Sequence, residues 1–301
     1  MFANFGLMRV CRFEHEGKFR AGYYHEDRVD PFPEAVDDLL PFLPGGSRFE
    51  EAKEWSAWDG LDSVPLSEVR LLVPNPRPNK LFLLAGNYAK HIEEGGDTAV
   101  ERAETFPYVF MKPPSTTLTD PGAPVRIPRS SPDHIDWELE LGVVIGKGGK
   151  HIAEADALDH VAGYTIFNDI SDRGYRPNPD RKERPRDGFF DWLHGKWHDS
   201  SCPSGPCIAS AHTLTDPQSL GMQLRVNGDL KQDASTAQQI FPVAAVIEFI
   251  SQMTSLEPGD MISTGTAAGV GNTTKTFLKP GDRIEAKIDS IGTLVSPVEA
   301  E

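Results

Sequence analysis

Cysteine is scarce in this sequence. The chain has only three, Cys11, Cys202 and Cys207, and so small and odd a number argues against a disulfide framework and for a reducing compartment. Cys202 and Cys207 flank a Pro-Ser-Gly-Pro turn, which is not a common zinc spacing. No second Cys or His pair is evident to complete four ligands. We therefore expect neither a disulfide-stapled fold nor a structural zinc site.

Positive charge and long apolar runs are also in short supply. The chain carries 30 Lys and Arg against 45 Asp and Glu, for a net charge of −15. This excess of negative charge disfavours nucleic acid and anionic membranes as partners and favours a divalent cation. No apolar run is long enough to span a bilayer, and residues 1–10 lack the basic region and cleavage site of a signal peptide. We expect a cytoplasmic protein without nucleic-acid or membrane partners.

The rest of the composition is that of a soluble globular protein. Its 301 residues are 39% hydrophobic and 25% charged, which allows two domains or one large one. Prolines at 74, 76 and 78 indicate a linker. They predict a small N-terminal domain over residues 1–76 and a larger domain over residues 77–301. In the smaller unit, alternating residues on both sides of Gly17 predict a hairpin, and no set of residues suited to catalysis is present.

Residues 134–146 form the most informative stretch. Acidic and apolar residues alternate there before an apolar run, which predicts one β-strand entering a core. Because side chains alternate between the faces of a strand, Asp136, Glu138 and Glu140 should point the same way. Buried together they would repel one another, and a hard divalent cation such as Mg²⁺ or Ca²⁺ would relieve that repulsion. The alternative is a solvated strand edge whose acidic residues face water.

Four further residues are candidates for chemistry. His91 and Glu94 share a face of one helical turn, where the carboxylate can fix the tautomer of a general base; the alternative is an exposed turn. Asp169 ends an apolar strand and can supply a third oxygen ligand or simply cap the next turn. Lys196 is either a cation aimed at an anionic substrate or a surface lysine, and the sequence alone favours the surface.

Several local patterns complete the sequence-based prediction. Asn227-Gly228 predicts a hairpin turn, and the apolar periodicity of residues 242–253 predicts a helix. Residues 175–195 form a long segment with prolines, basic residues and aromatics, which suggests an ordered cover. The glycine-rich residues 265–271 can offer backbone N–H groups to an anion, although they lack the lysine and spacing of a P-loop.

In combination, these segments resemble the fumarylacetoacetate hydrolase family over about residues 78–298. The N-terminal unit also looks like the small domain of many bacterial members. No single motif is specific, but seven occur in the family's order. They are Gly86-Asn87-Tyr88 with His91 and Glu94; Lys112-Pro113-Pro114-Ser115; Trp137-Glu138-Leu139-Glu140-Leu141 with Ile145-Gly146-Lys147; Gly163-Tyr164 with Asn168-Asp169-Ile170-Ser171 and Arg173; Lys196 with Cys202-Pro203-Ser204-Gly205-Pro206; Asn227-Gly228; and Gly265-Thr266-Ala267-Ala268-Gly269-Val270-Gly271.

The resemblance implies a mainly β (α+β) fold: a mixed β-sandwich roll with a small N-terminal α+β domain, assembled as a homodimer. It implies that Glu138, Glu140 and Asp169 bind Mg²⁺, or Mn²⁺ or Ca²⁺ in some members. His91 and Glu94 would be a water-activating pair on a lid, and Lys196 would hold the substrate or stabilise its charge. The residues expected to contact the substrate are Arg173, Arg176, Lys112, Thr266 and Gly265. Asp172, Gly174, Arg176 and the length of residues 175–195 depart from the usual family pattern, which bears on the substrate more than on the metal.

The predicted function is metal-dependent hydrolysis of the C–C bond of a 2,4-diketo acid, such as an acylpyruvate, to pyruvate and a carboxylic acid. A small keto acid would be the partner. A second reading uses the same metal without attacking water: decarboxylation of a 2-keto acid such as oxaloacetate, or hydration or isomerisation of a 2-oxo-alkenoate. A third is a non-catalytic binding protein with a structural Ca²⁺ site.

Overall fold

A computed structural model describes residues 6–58 and 60–301. Within these residues there are six α-helices: α1 (Phe49–Ser56), α2 (Ala89–Glu94), α3 (Pro114–Thr117), α4 (Asp187–His194), α5 (Val243–Met253) and α6 (Gly271–Thr274). The first ten strands are β1 (Arg9–His15), β2 (Lys18–Tyr24), β3 (Arg28–Pro31), β4 (Val64–Pro65), β5 (Arg70–Leu72), β6 (Leu81–Ala85), β7 (Tyr108–Met111), β8 (Leu118–Thr119), β9 (Val125–Ile127) and β10 (Ile135–Asp136). The remaining nine are β11 (Leu139–Ile145), β12 (Val161–Asn168), β13 (Ser171–Asp172), β14 (Cys202–Ser210), β15 (Gly221–Val226), β16 (Asp229–Ser235), β17 (Met261–Thr266), β18 (Arg283–Ile288) and β19 (Gly292–Ala300).

The strands form three sheets. The large one has the order β4-β3-β2-β1-β14-β12-β11-β17-β6-β7, with β5 beside β1 and β8 beside β14. A second sheet has the order β16-β15-β18-β19-β9, and β10 pairs with β13. Most pairs are antiparallel, but β6 with β17, β8 with β14 and β9 with β19 are parallel. The predicted mainly β, mixed fold is therefore confirmed.

The N-terminal strands belong to the large sheet. Strand β1 pairs antiparallel with β14, and Arg9 and Val10 lie opposite Ala209 and Ile208. One sheet therefore runs across the predicted boundary near residue 76. The division into two domains remains a prediction. No helix in the described part of the chain has both the length and the apolar character needed to cross a membrane.

The predicted strand over residues 134–146 is two strands, β10 and β11, interrupted at Trp137 and Glu138. Side chains replace the ladder there: the Glu138 N–H donates to Asn168 Oδ1 at 2.9 Å, and the Leu139 N–H donates to Gln232 Oε1 at 2.9 Å. The prediction of one continuous strand was wrong because the sequence does not show these distant acceptors. All of β11 is buried, so the alternative of a solvated edge is wrong as well.

Two hydrophobic clusters pack around the large sheet. Alternate residues of β11 fall into different clusters: Leu141, Val143 and Ile145 belong to the larger one, and Val144 to the smaller one. Because both faces of this strand are covered, the acidic residues at its start lie at the edge of a core. Helix α5 packs its apolar face on the larger cluster, as the periodicity of residues 242–253 predicts.

Candidate active site

Three carboxylates meet where β11 and β12 lie side by side. The pairing of Leu139 with Asn168 places the start of β11 beside the end of β12, and the Asp169 N–H donates to the Glu138 carbonyl at 2.8 Å. One carboxylate oxygen from each of Glu138, Glu140 and Asp169 lies within 4.8 Å of the others. All three side chains are buried. This all-oxygen donor set is the kind that hard divalent cations prefer, so these residues fit such a cation.

Lys196 lies inside this carboxylate cluster. Its Nζ is 2.5 Å from Glu138 Oε2 and 2.6 Å from Asp169 Oδ2, and the residue is only 3% exposed. The sequence favoured a surface position, and that expectation was wrong. Lysine is rarely buried without partners, but here two carboxylates compensate for its lost hydration. The ammonium also lies 5.3 Å from the ring centroid of Phe110.

Arg173 closes the cluster from another side. Its guanidinium donates to Asp136 Oδ2 at 2.9 Å and also pairs with Glu138. Asp136 does not join the three-carboxylate group, because the N–H groups of Gly271 and Asn272 hold its carboxylate at 2.6 and 3.0 Å. The strand break therefore separates Asp136 from Glu138 and Glu140, against the prediction that the three share a face.

The charges around Glu138 and Glu140 drive the pKa values of these two carboxyl groups apart. Burial opposes ionisation of Glu138, but Arg173 and Lys196 outweigh it and hold the pKa of Glu138 well below its usual range. Burial raises the pKa of Glu140 well above its usual range, and the charges of Asp169 and Glu138 raise it further. Of these two glutamates, Glu140 therefore gains more from an additional cation.

Lys112 lies beneath the cluster, fully enclosed. Its Nζ donates to the carbonyls of Ile170 and Ser201 at 2.9 and 2.6 Å and lies 2.5 Å from Asp169 Oδ1. The ammonium is thus hydrogen-bonded to two backbone carbonyls and forms an ion pair with Asp169. This arrangement makes Lys112 a support for Asp169, and its contact with the substrate stays a prediction.

The glycine-rich segment over residues 265–271, which begins at the end of β17, does bind anions, and those seen are the protein's own carboxylates. The Gly265 N–H donates to Glu140 Oε2 at 2.9 Å, and the Gly269 N–H donates to both oxygens of Glu94 at 2.9 and 3.1 Å. Gly265 has a φ of +87°, and an added Cβ would lie 2.9 Å from the Cβ of Asn87. Glycine at this position therefore permits both the backbone conformation and the close approach.

Thr266 is likewise structural in this arrangement. Its Oγ1 donates to the Leu139 carbonyl at 2.9 Å and accepts from Gln232 Nε2 at 2.9 Å. Neither Thr266 nor Gly265 lines the cavity beside the site. The substrate contacts of these two residues stay a prediction.

His91 and Glu94 lie on α2, at the wall of that cavity, which has a volume of about 580 Å³. His91 Nδ1 is 2.9 Å from Glu94 Oε1, so the predicted pairing of the two side chains is present. Through its bonds to Gly269, Glu94 links the helix to the loop that also holds Glu140 and Asp136. Arg173 lines the same cavity and connects it to the carboxylate cluster.

Arg176 does not reach the site. Its side chain is 47% exposed and pairs with Glu183 at 2.6 Å. It lies in the predicted cover segment, residues 175–195, whose aromatic residues Phe189, Phe190 and Trp192 lie on α4. Arg176 therefore lies apart from the cavity that Arg173 lines.

Sequence reasoning assigned no role to Asn168, Gln232 or Ser263. Asn168 and Gln232 hold the N–H groups at the strand break, and Ser263 Oγ donates to Glu140 Oε2 at 2.6 Å. Asn168 has a signal in the sequence, since it stands directly before Asp169 at a strand end. Gln232 and Ser263 sit in ordinary strands, and nothing in the sequence marks them.

Comparisons with known proteins agree on one family. Residues 80–299 match the model described as fumarylacetoacetate (FAA) hydrolase, C-terminal, and residues 8–74 match the model described as Rv2993c-like, N-terminal. The oxaloacetate tautomerase YisK of Bacillus subtilis is 40% identical over 272 residues, covering 86% of each chain. The mitochondrial oxaloacetate tautomerase fahd2 of Xenopus laevis is 39% identical over 273 residues, covering 88% of this chain and 81% of that protein.

Solved structures show the same fold. Maleylpyruvate hydrolase from Sphingobium sp. SYK-6, in complex with manganese(II) and pyruvate, is 29% identical with a TM-score of 0.76, over 97% of this chain and 99% of that one. Fumarylacetoacetate hydrolase from Exiguobacterium antarcticum is 31% identical with a TM-score of 0.78, over 98% and 100% of the two chains. The relatives include tautomerases as well as hydrolases, so likeness alone does not select the reaction.

Proposed function

The chain belongs to the fumarylacetoacetate hydrolase family, and we propose that it is an enzyme that interconverts the keto and enol forms of a 2-keto acid of the oxaloacetate type. The relatives named oxaloacetate tautomerase, at 39–40% identity, support this reaction over the hydrolysis expected from the sequence. The observation that carries it is the His91–Glu94 pair, held at the cavity wall beside a cluster of buried charges. A non-catalytic calcium site would not need such a pair.

Keto–enol exchange moves one proton from carbon 3 of the acid to the oxygen on carbon 2. Glu94 accepts a hydrogen bond from Nδ1–H of His91, which leaves Nε2 as the basic nitrogen. His91 would take the carbon-bound proton, and Glu94 would stabilise the imidazolium. The same nitrogen can return the proton to the oxygen, so the exchange needs no water and no second substrate.

Arg173 and Lys196 provide the positive charge for the anionic acid and its enolate. Lys196 is buried, Arg173 is partly buried, and carboxylates hold both, so they need little reorganisation when negative charge develops. Glu138, Glu140 and Asp169 would hold a divalent cation, which acts when bound as a Lewis acid that polarises the substrate carbonyl. Mg²⁺ remains a prediction, because Mn²⁺ and Ca²⁺ also accept carboxylate oxygens.

Hydrolysis of a 2,4-diketo acid is the second candidate. It is favoured by the likeness to the maleylpyruvate hydrolase that binds manganese and pyruvate, and by the same histidine, which can take a proton from water as well as from carbon. The two reactions differ in whether water must enter the cavity and attack a carbonyl.

One assay separates these reactions. Protein stripped of metal and protein loaded with Mg²⁺ or Mn²⁺ are mixed with oxaloacetate and with acetylpyruvate. Keto–enol exchange is followed by enol absorbance, and pyruvate and CO₂ are measured separately. Faster exchange of oxaloacetate without pyruvate release supports the tautomerase. Pyruvate from acetylpyruvate supports the hydrolase, and pyruvate with CO₂ from oxaloacetate supports the expected decarboxylase. No change from the uncatalysed rates with any metal contradicts all three.

We also propose that the protein is a homodimer, as the family resemblance implies. Strand β7 ends the large sheet. Exposed apolar side chains lie on and beside it: Met111, Phe189, Phe190 and Trp197. These side chains are 41–56% exposed, and a strand edge with apolar residues favours association. Sedimentation of the wild type and of Phe190→Glu tests the assembly; a wild-type monomer at micromolar concentration contradicts it.

A further inference from the structure

The cavity beside His91 has more apolar lining than a small dicarboxylate needs. Its polar side is formed by His91, Glu94, Arg173, Asn272 and Thr273. Another set of lining residues, here called the apolar wall, consists of Val100, Phe106, Tyr108, Ile240 and Phe241. Both sets border one continuous space of about 580 Å³.

The size of this space exceeds that of oxaloacetate. Cavities of about 300–1,000 Å³ hold drug-sized ligands and are lined mainly by apolar and aromatic side chains. Oxaloacetate is a four-carbon acid with carboxylates at both ends and no apolar group to place on the wall. Yet Phe106 and Tyr108 are 58% and 63% exposed, so large aromatic surfaces face this space.

The apolar wall is built on ordered backbone. Tyr108 pairs with Ala85 across β6 and β7, and Phe106 packs edge-on against Tyr108 with ring centroids 5.5 Å apart. On its other side Phe106 stacks on Phe249 of α5 at 6.2 Å. The Phe241 N–H donates to Asn87 Oδ1 at 2.8 Å. The wall is therefore preformed, which lowers the cost of placing a ring against it.

On the basis of the proposed keto-acid function, we propose that the preferred substrates are 2-keto acids with an apolar, aromatic substituent on carbon 3. The keto acid occupies the polar side near His91 and Arg173, and the substituent packs on the apolar wall against Phe106 and Tyr108. The reaction is balanced: one C–H bond on carbon 3 breaks, one O–H bond forms on carbon 2, and no oxidant or second reactant is consumed.

The test compares two ligands that differ only by a phenyl group, pyruvate and phenylpyruvate. Their affinities for the Mn²⁺-loaded full chain are measured by isothermal titration. Phenylpyruvate should bind at least about tenfold more tightly, since apolar pockets discriminate by roughly that factor for small groups. Phe106→Ala should remove most of this ratio. Phe19→Ala, which truncates a similarly exposed phenylalanine on β2 outside the cavity, should leave it unchanged.

Equal affinities in the wild type, or an equal loss for both ligands in Phe106→Ala, would overturn the inference. Keto–enol exchange of oxaloacetate by the same sample keeps the two proposals separate. If the protein exchanges oxaloacetate but does not prefer phenylpyruvate, the proposed aromatic substituent is wrong and the tautomerase proposal stands. If the protein prefers phenylpyruvate through Phe106 but does not exchange oxaloacetate, the role of the apolar wall is supported and the tautomerase proposal is wrong.

Discussion

The carboxylate cluster and the His91–Glu94 pair belong to one site but are held in opposite ways. Each carboxylate of the cluster is fixed by buried groups. Ser263 and Gly265 of β17 hold Glu140, and Lys196, in the turn after α4, bridges the other two. His91 and Glu94 instead lie on the six-residue helix α2, which has no buried residue. This helix is linked to the glycine-rich loop by the hydrogen bond from the Gly269 N–H to Glu94.

This difference matches the tasks proposed for the two regions. Groups that stabilise developing charge work best when they cannot reorganise, and burial in a sheet provides that. A group that passes a proton between carbon and oxygen must approach two atoms in turn, and a short, partly exposed helix permits small movements. Substitutions in the cluster should therefore affect folding, whereas substitutions in the pair should affect turnover with little effect on folding.

The strongest expected effect is on the stability of the cluster. Glu138→Gln leaves Lys196 and Arg173 without a shared counter-ion in a buried position. We expect the free energy of unfolding to fall by about 3 kcal/mol, as for other broken buried pairs. Urea denaturation of the metal-free protein measures it. Glu93→Gln on exposed α2 is the matched control, and equal stability of the two variants would mean that the buried charges are not coupled as described.

Substitution of His91 should lower turnover. His91→Ala removes the proposed proton carrier, and the loss of general acid–base catalysis should lower kcat by about 10²–10⁴-fold. The free energy of unfolding should change by less than about 1 kcal/mol, because the side chain is only partly buried. Lys90→Ala, an exposed neighbour on the same helix, is the control. A His91→Ala protein with full keto–enol exchange would remove the pair from the mechanism.

Metal should stabilise the cluster. Mn²⁺ at about 100 times its Kd should raise the free energy of unfolding by about 2.7 kcal/mol, since only the folded state gathers the three carboxylates. Asp169→Asn, which removes one of them, should lose most of this gain when measured against its own metal-free form. Asp159→Asn, an exposed site, should keep it. Thermal or urea unfolding with and without Mn²⁺ measures this gain in stability. If Asp169→Asn keeps the full gain, the metal binds elsewhere.

The parts of the site that the sequence predicts are those set by local spacing. Glu138 and Glu140 are two residues apart at the start of β11, so the alternation of side chains in extended backbone places them on one face. His91 and Glu94 are three residues apart on a helix, which also places them on one face. The convergence of Asp169 with the glutamates and the hairpin at Asn227 and Gly228 also follow from strand ends and turn chemistry.

The parts that the sequence does not predict depend on distant partners. Lys196 is buried because Glu138, 58 positions away, pairs with it. The strand breaks at Trp137 because an amide oxygen of Gln232, 93 positions from Leu139, replaces the ladder. The glycine-rich segment donates N–H groups to Glu140, Glu94 and Asp136. The sequence signal for anion binding is therefore present in the structure, but the sequence does not show that these anions are carboxylates of the protein itself.

The smallest expected effect tests the one predicted substrate contact that the structure leaves at the surface. Arg176→Ala removes an exposed pair with Glu183, and such pairs contribute about 0–1 kcal/mol. Because Arg176 does not line the cavity, KM and kcat should both stay within about twofold of the wild type. Arg173→Ala is the matched comparison. Because the Arg173 guanidinium lines the cavity, removing it should raise KM strongly. If Arg176→Ala instead raises KM as Arg173→Ala does, the segment over residues 175–195 must move over the cavity when substrate binds, and the predicted contact is restored.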